Sequence, residues 1–565
     1  MPEEKMHFKD YRSGMLTNGI ERAAHRALLY STGLDREDLG KPMIAVVNSF
    51  TEMVPGHFHL RELADFVKQG IIEAGGIPRE FSTIAICDGI CQGHKGMSYP
   101  LPSRELIADS AEYMIEAHQF DGMVMLPGCD KIVPGMLMAA MRLNIPAIVI
   151  PGGPMLPGKY KDMEAITLTD MRELIGRTQT GRLTEDELMK IEEAALPGVG
   201  TCSMLGTANT MSCLAEALGM SLPGGGLAHA VSAKKRRIAK QSGRRIVAMV
   251  KEDLTPRKIM TREALRNAIR VSMAMGASTN STLHLPAIAH EAGIHITLDD
   301  FDELSREIPY LCNIKPSWQY PLSVLEEQGG VPAVMKALER KLDLEQMTVS
   351  GKTVGENLAG VELVENDVIF SLDHPKKPEG GLAILHGNLA PKGAVVKQAG
   401  VKPSMHYFEG QARVFTSMEE ASWAVSNDKI QKGDVLVIRY EGPKGGPGMR
   451  EMHMTCSLIV GRGMDEDCAL VTDGRFSGST RGPCIGHVSP EAAAGGPIAA
   501  VEEGDRIIID IPNRTLTLCV PEEEIQRRLE RVRHIHKPAT PALERYAALV
   551  TSADQGAVLQ LPRER

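Results

Sequence analysis

Between Lys41 and Ile150, short apolar runs alternate with amphipathic stretches, and this alternation restricts the fold more than any other feature of the chain. Lys41-Pro-Met-Ile-Ala-Val-Val-Asn48, Thr83-Ile-Ala-Ile-Cys87, Gly122-Met-Val-Met-Leu126 and Ile145 to Ile150 read as buried strands. Between them, His57 to Ala74 places Leu60, Leu63, Val67, Ile71 and Ala74 on one helical face. Ser103 to Ala117 reads as a helix with Ser103 as its N-cap. Such alternation predicts a sheet, at least partly parallel, covered by helices. Asn48-Ser49, Asp88 and Cys129-Asp130-Lys131 each follow a predicted strand. In open α/β sheets ligands bind beyond the carboxyl ends of the strands, so these polar groups are candidates to meet.

At 565 residues the chain exceeds one ordinary core, so two or more domains are expected. Pro151 to Gly360 is mainly helical with glycine-rich joints, and Asp373 to Gly381 reads as a linker. After it come short strand signals at Ala394–Lys397, Ala412–Phe415, Asp434–Tyr440, Cys468–Thr472, Arg506–Ile511 and Thr515–Val520. They suggest a barrel- or sandwich-like second domain. The expected division is an α/β domain over 1–375 and a smaller β domain over 376–565.

With 63 basic against 72 acidic residues the net charge is −9, which argues against nucleic acid as the main partner. The most apolar long stretch, Val133 to Pro151, is interrupted by Arg142, Asn144 and Pro146, so a buried helix and strand are expected there and no membrane span. Met1-Pro-Glu-Glu-Lys5 is charged, without an apolar signal core, and a cytoplasmic location is expected. The ten cysteines should then be reduced, most of them as small buried residues. Lys234-Lys-Arg-Arg237 is expected on a solvated helix face.

Five segments carry residues suited to chemistry. In Pro127-Gly-Cys-Asp-Lys-Ile-Val-Pro-Gly135 the thiol of Cys129 suits a soft metal, and the carboxylate of Asp130, beside Lys131, suits a hard one. A buried thiol next to a surface ion pair fits the same spacing equally well. Cys202 lies among small residues in Gly198 to Cys213, which also suits a tight turn into a helix. Asp88 sits between Cys87 and Cys91, whose spacing is not that of a zinc knuckle. Glu451 closes a Gly/Pro-rich loop, Ile438 to Met452, as a metal ligand or a solvated carboxylate. Ser477 lies in a glycine-rich turn, Val471 to Gly482.

Taken together these segments resemble the dihydroxy-acid dehydratase branch of the dihydroxyacid/sugar-acid dehydratases. The resemblance spans nearly the whole chain. It includes Val47-Asn-Ser-Phe-Thr-Glu-Met-Val-Pro-Gly-His57, Pro102-Ser-Arg-Glu-Leu-Ile-Ala-Asp-Ser110, Cys129-Asp-Lys-Ile132, Arg439-Tyr-Glu-Gly-Pro-Lys-Gly-Gly-Pro-Gly-Met449 and Thr472-Asp-Gly-Arg-Phe-Ser-Gly478. It implies a larger α/β domain, a smaller barrel-like domain across a cleft, and a homodimer or homotetramer. It further implies an iron–sulfur cluster, [2Fe-2S] or [4Fe-4S], on Cys129 and Cys202. Mg²⁺ would lie among Asp88, Asp130, Lys131 and Glu451, with Lys131 carbamylated, since an ammonium cannot ligate a cation. Ser477 would be the catalytic base.

The implied reaction removes water from a 2,3-dihydroxy acid to give a 2-oxo acid. The expected substrate is 2,3-dihydroxy-3-methylbutanoate in branched-chain amino-acid synthesis; a sugar acid, or a non-catalytic iron-binding or redox-sensing protein, are the alternatives. Gly56 stands where some members of the family carry a cysteine, which leaves Cys87 or Cys91 to act as a third thiol. Met452 to Ser457 and Pro316-Ser-Trp318 also depart from the family pattern.

Overall fold

Residues 11–533 and 535–561 are described in a computed structural model; Met1–Lys5 lies outside them. β1 (Met43–Asn48) is buried along its whole length because strands pair with it on both sides and helices cover it. It pairs in parallel with β2 (Ile77–Ser82) and β3 (Gly122–Leu126), and β3 pairs with β4 (Ala147–Val149), giving the order β2-β1-β3-β4. The crossovers are α1 (Leu60–Glu73), α2 (Pro100–His118) and α3 (Ile132–Leu143). α1 buries Leu60, Leu63, Val67 and Ile71, the stripe predicted from their spacing. Each such side chain contributes about 1.5–3 kcal/mol on burial.

The region between sheet and barrel is helical: α4 (Leu168–Gln179), α5 (Thr207–Ala217), α6 (Ala233–Glu252), α7 (Arg262–Met275) and α8 (Ser281–His290) are its principal members here. Eight further strands close a barrel: β5 (Ala383–Gly387), β6 (Ala390–Val396), β7 (Tyr407–Phe415), β8 (Asp434–Ile438), β9 (Ala469–Thr472), β10 (Cys484–Gly486), β11 (Arg506–Asp510) and β12 (Thr515–Leu518). Their order around it is β8-β9-β10-β6-β5-β12-β11-β7, with β7 returning to β8. Val396, Ala412, Val437, Ile485, Ile507 and Leu516 are among the apolar side chains of its core. Closure removes free strand edges, which explains why such short strands suffice. The fold is thus mixed α/β: a parallel sheet layer and a closed barrel.

Several local expectations need correction. Thr83–Cys87 is no strand; the strand is Ile77–Ser82, and the apolar run after it is a connection in which Ile84 is exposed. β2 is an edge strand with a half-polar sequence, so its pattern gave no buried-strand signal. α2 starts at Pro100 after Tyr99, and the Ser103 hydroxyl donates to the Pro100 carbonyl (2.6 Å) instead of capping the helix. Lys235 is not on a solvated face: its ammonium is buried and donates to the Pro151 and Gly225 carbonyls, both at 2.7 Å. Among the described residues no helix is long and apolar enough to cross a membrane.

Candidate active site

Two strand ends of the sheet and two of the barrel supply the polar side chains of the site. Beyond β2, Asp88 opens a single helical turn at Asp88–Cys91; beyond β3, Cys129, Asp130 and Lys131 lead directly into α3. In the barrel, β8 and β9 run parallel, and the loops that follow them stay side by side, with Glu451 bridged to Arg475. Gly448 carries the first of these loops against the sheet domain. Its φ is +94°, and a β-carbon there would lie 2.0 Å from the Ser98 carbonyl oxygen, so only glycine fits.

The carboxylates of Asp88, Asp130 and Glu451 converge, each with a ligand oxygen within 4.8 Å of the others'. Asp88 Oδ2 accepts from Lys131 Nζ (2.8 Å) and Arg475 Nη2 (3.0 Å). Asp88 Oδ1 is buried without a hydrogen-bond partner. Glu451 pairs with Arg475 through one oxygen, and its other accepts from Gln92 Nε2 (2.7 Å). It is fully buried, so the solvated alternative for Glu451 does not hold. Burial pushes Glu451 up, but Arg475 and then Lys131 outweigh it and hold the carboxyl below its ordinary value. Asp130, pushed by burial and then by Asp88, rises to about 7.

Three thiols lie on the adjoining side. The side chains of Cys87 and Cys129 lie beside each other, and Cys202 acts on Cys129 through space. Burial, and then the nearby Cys87, raises Cys202 to about 12. Cys91 makes no such contact with Cys129. The backbone N–H of Cys129 donates to His57 Nε2 (2.7 Å), while His57 Nδ1 lies 2.8 Å from the Ser49 carbonyl oxygen. Burial lowers His57 to about 3, so a neutral ring donates from Nδ1 and accepts at Nε2, and it pins the Cys129 loop. A β-carbon added at Gly56 would lie 2.8 Å from Cys129 Sγ, so position 56 faces the thiols but supplies none.

Ser477 follows Arg475 by two residues. Asn280, at the start of α8, donates both to Glu451 (3.3 Å) and to the Phe476 carbonyl (3.0 Å), and so ties the serine turn to the carboxylates. Ser477 Oγ accepts from the Ser479 N–H (3.3 Å) and lies 2.9 Å from Ser479 Oγ, which is 3.1 Å from His453 Nε2. The buried Lys397 ammonium donates to the Gly478 carbonyl (2.5 Å).

The seven predicted residues therefore fall into two adjoining groups, with Ser477 tied to the carboxylate group. Arg475, Asn280, Gln92, His453 and Arg172 were not singled out from the sequence. Arg475 lay within a motif already marked, and its charge beside so many acidic groups was the available signal. Carboxylates with an unpartnered buried oxygen fit a hard cation, and clustered thiols fit a soft one.

Comparisons with known proteins match the chain over most of its length. Residues 41–357 match the N-terminal part of the dihydroxy-acid/6-phosphogluconate dehydratases, and residues 367–557 the C-terminal part. Proteins named dihydroxy-acid dehydratase from Methanosarcina barkeri, Methanothermobacter thermautotrophicus and Pyrococcus abyssi are each 54% identical to the chain. Each alignment covers 97% of this chain and all of the relative. On this match over both halves, the chain belongs to the dihydroxy-acid/6-phosphogluconate dehydratase family.

Proposed function

We propose that the chain is a hydro-lyase that converts a 2,3-dihydroxy acid to a 2-oxo acid, with 2,3-dihydroxy-3-methylbutanoate giving 3-methyl-2-oxobutanoate in branched-chain amino-acid synthesis. The observation that carries this reading is the buried group Asp88, Asp130 and Glu451 beside the thiols and the Ser477 turn. The names of its full-length relatives support the same reaction.

Asp88, Asp130, Glu451 and a carbamylated Lys131 would hold Mg²⁺. Carbamylation turns a cation that now pairs with Asp88 into an anionic oxygen donor, which removes the repulsion a metal would meet. Cys129 and Cys202 would hold the iron–sulfur cluster. Cys87, rather than Cys91, is the third thiol of this reading, because Cys87 is the one in contact with Cys129. When bound, the two centres supply Lewis acidity toward the substrate's carboxylate and hydroxyl oxygens.

The protein's own part is to orient the acid and move one proton. With its own proton already removed, Ser477 Oγ takes the C2 proton and passes it to the departing C3 hydroxide, so one water leaves, the serine oxygen is restored and an enol remains, which tautomerises to the 2-oxo acid. The Ser479 N–H, donating to Ser477 Oγ, favours the deprotonated oxygen. Burial of the site limits water that would compete for that proton. The reading includes a cytoplasmic homodimer or homotetramer, with a division of the chain near 375. It is tested by anaerobic reconstitution with iron, sulfide and Mg²⁺, followed by 2-oxo acid assays on 2,3-dihydroxy-3-methylbutanoate and on gluconate. Turnover of the branched acid is expected; turnover of gluconate alone would move the substrate to the sugar acids, and no 2-oxo acid from either would overturn the assignment.

A further inference from the structure

Most arginines near the site have an acidic partner. Arg475 pairs with Asp88 and Glu451, Arg450 with Glu419 and Glu441, and Arg481 with Glu173. Arg172, on α4, differs. Its side chain is nearly buried, at 7% exposure, and among the described residues it forms no ion pair. The guanidinium makes one long hydrogen bond, from Nη2 to the Gly89 carbonyl at 3.4 Å. Its acidic neighbours are Cys202, Glu451, Cys87 and Asp130, which act on it only through space. These are the groups assigned above to metals, so their charge is committed elsewhere.

Arg172 is not there by loose packing. Gly176, one turn further along α4, meets Gly461 of the helix His453–Gly461 so closely that a β-carbon would lie 2.7 Å from the Gly461 Cα. That contact fixes the face of α4 that carries Arg172. His453, on the same partner helix, feels Arg172 and Arg481 and keeps Nδ1 buried without a partner. A desolvated guanidinium without a close anion is unfavourable, and burial outweighs its distant neighbours and lowers its pKa. A guanidinium so placed is suited to an anion.

We propose that Arg172 binds an acidic group of the substrate and so helps to set which dihydroxy acids the enzyme accepts. This rests on the dehydratase reading above. The guanidinium fork matches a carboxylate or a phosphate bidentately and gains nothing from a neutral substituent. The anion is either the C1 carboxylate common to every dihydroxy acid or a distal acidic group such as a 6-phosphate.

The test uses holoenzyme carrying Arg172→Met or Arg172→Lys beside the wild type, with 2,3-dihydroxy-3-methylbutanoate, gluconate and 6-phosphogluconate. Arg172→Met should raise KM by about tenfold or more, with a much smaller change in kcat, and Arg172→Lys should recover part of the loss. A rise with every accepted substrate locates the anion at C1; a rise confined to 6-phosphogluconate locates it at the distal phosphate. Unchanged KM with all of them overturns the proposal. So does a fall in kcat at unchanged KM, accompanied by lost iron, because Arg172 would then only balance charge at the metal centre. If wild-type enzyme makes no 2-oxo acid from any of the three, the dehydratase reading fails. Arg172 is then judged by calorimetric binding of 6-phosphogluconate, where equal affinity of wild type and Arg172→Met overturns its role.

Discussion

The carboxylate half and the thiol half of the site adjoin, yet they meet the cost of burial in opposite ways. Glu451 stays ionised because Arg475 and then Lys131 outweigh its burial, and Asp88 accepts from both cations. Among the described residues the thiols have no cation so close; Cys129 and Cys87 lie beside each other, and burial holds Cys202 protonated. Glu451 is thus charged before any metal arrives, whereas the thiol half must lose protons as its metal binds. Ser477 belongs to the first half through Asn280 and Arg475.

The largest effect should come from the serine. Ser477→Ala should lower turnover by on the order of 10²–10⁴-fold. The visible absorbance of the cluster should persist, since the thiols do not depend on that turn; full activity in the variant would remove Ser477 as the base.

Arg475→Met tests the charged half. Removing one partner of a buried pair costs about 3–5 kcal/mol, so the metal-free protein should unfold at clearly lower denaturant concentration. Mg²⁺ should restore much of the loss by taking over the carboxylates; equal destabilisation with and without Mg²⁺ would break the contrast between the halves.

Cys87→Ser tests the other half. Iron should be retained about tenfold less tightly than in the wild type, by analogy with loss of a group that supports a metal site. Cys91→Ser should keep its iron and sulfide. Comparable loss in both variants would remove the distinction between these two thiols.

The smallest effect concerns the turn that carries Ser477. Burial lowers Lys397 to about 7. The unfolded chain, with an ordinary lysine, therefore binds more protons than the native state above that pH. Relative to Lys397→Met, wild-type stability should rise by up to about 1.4 kcal/mol per pH unit from pH 7 toward 10. A flat difference across that window would show that the buried amine stays charged.

Much of this was legible locally. The β1 and β3 runs, the α1 stripe and the later short strands follow from side-chain periodicity, which a strand or helix expresses wherever it is placed. β5 and β10 were missed because short strands need only a neighbour in the barrel, not a strong pattern of their own. The apolar run at Thr83–Cys87 misled for the opposite reason. It leads to the site instead of filling the sheet, and the real edge strand beside it is half polar.

The sequence by itself determined the alternating architecture and the loops that carry reactive groups, because apolar period and Gly/Pro content act over a few residues. Only the tertiary structure decided which of those groups meet. Asp88 and Arg475 are 387 positions apart, and their contact depends on how barrel and sheet dock. Tertiary packing also separates Cys87 from Cys91, four positions apart but with one of them turned toward Cys129. It also leaves Arg172 buried without a close counter-charge, because charge balance across a buried site is set by three-dimensional proximity and not by spacing along the chain.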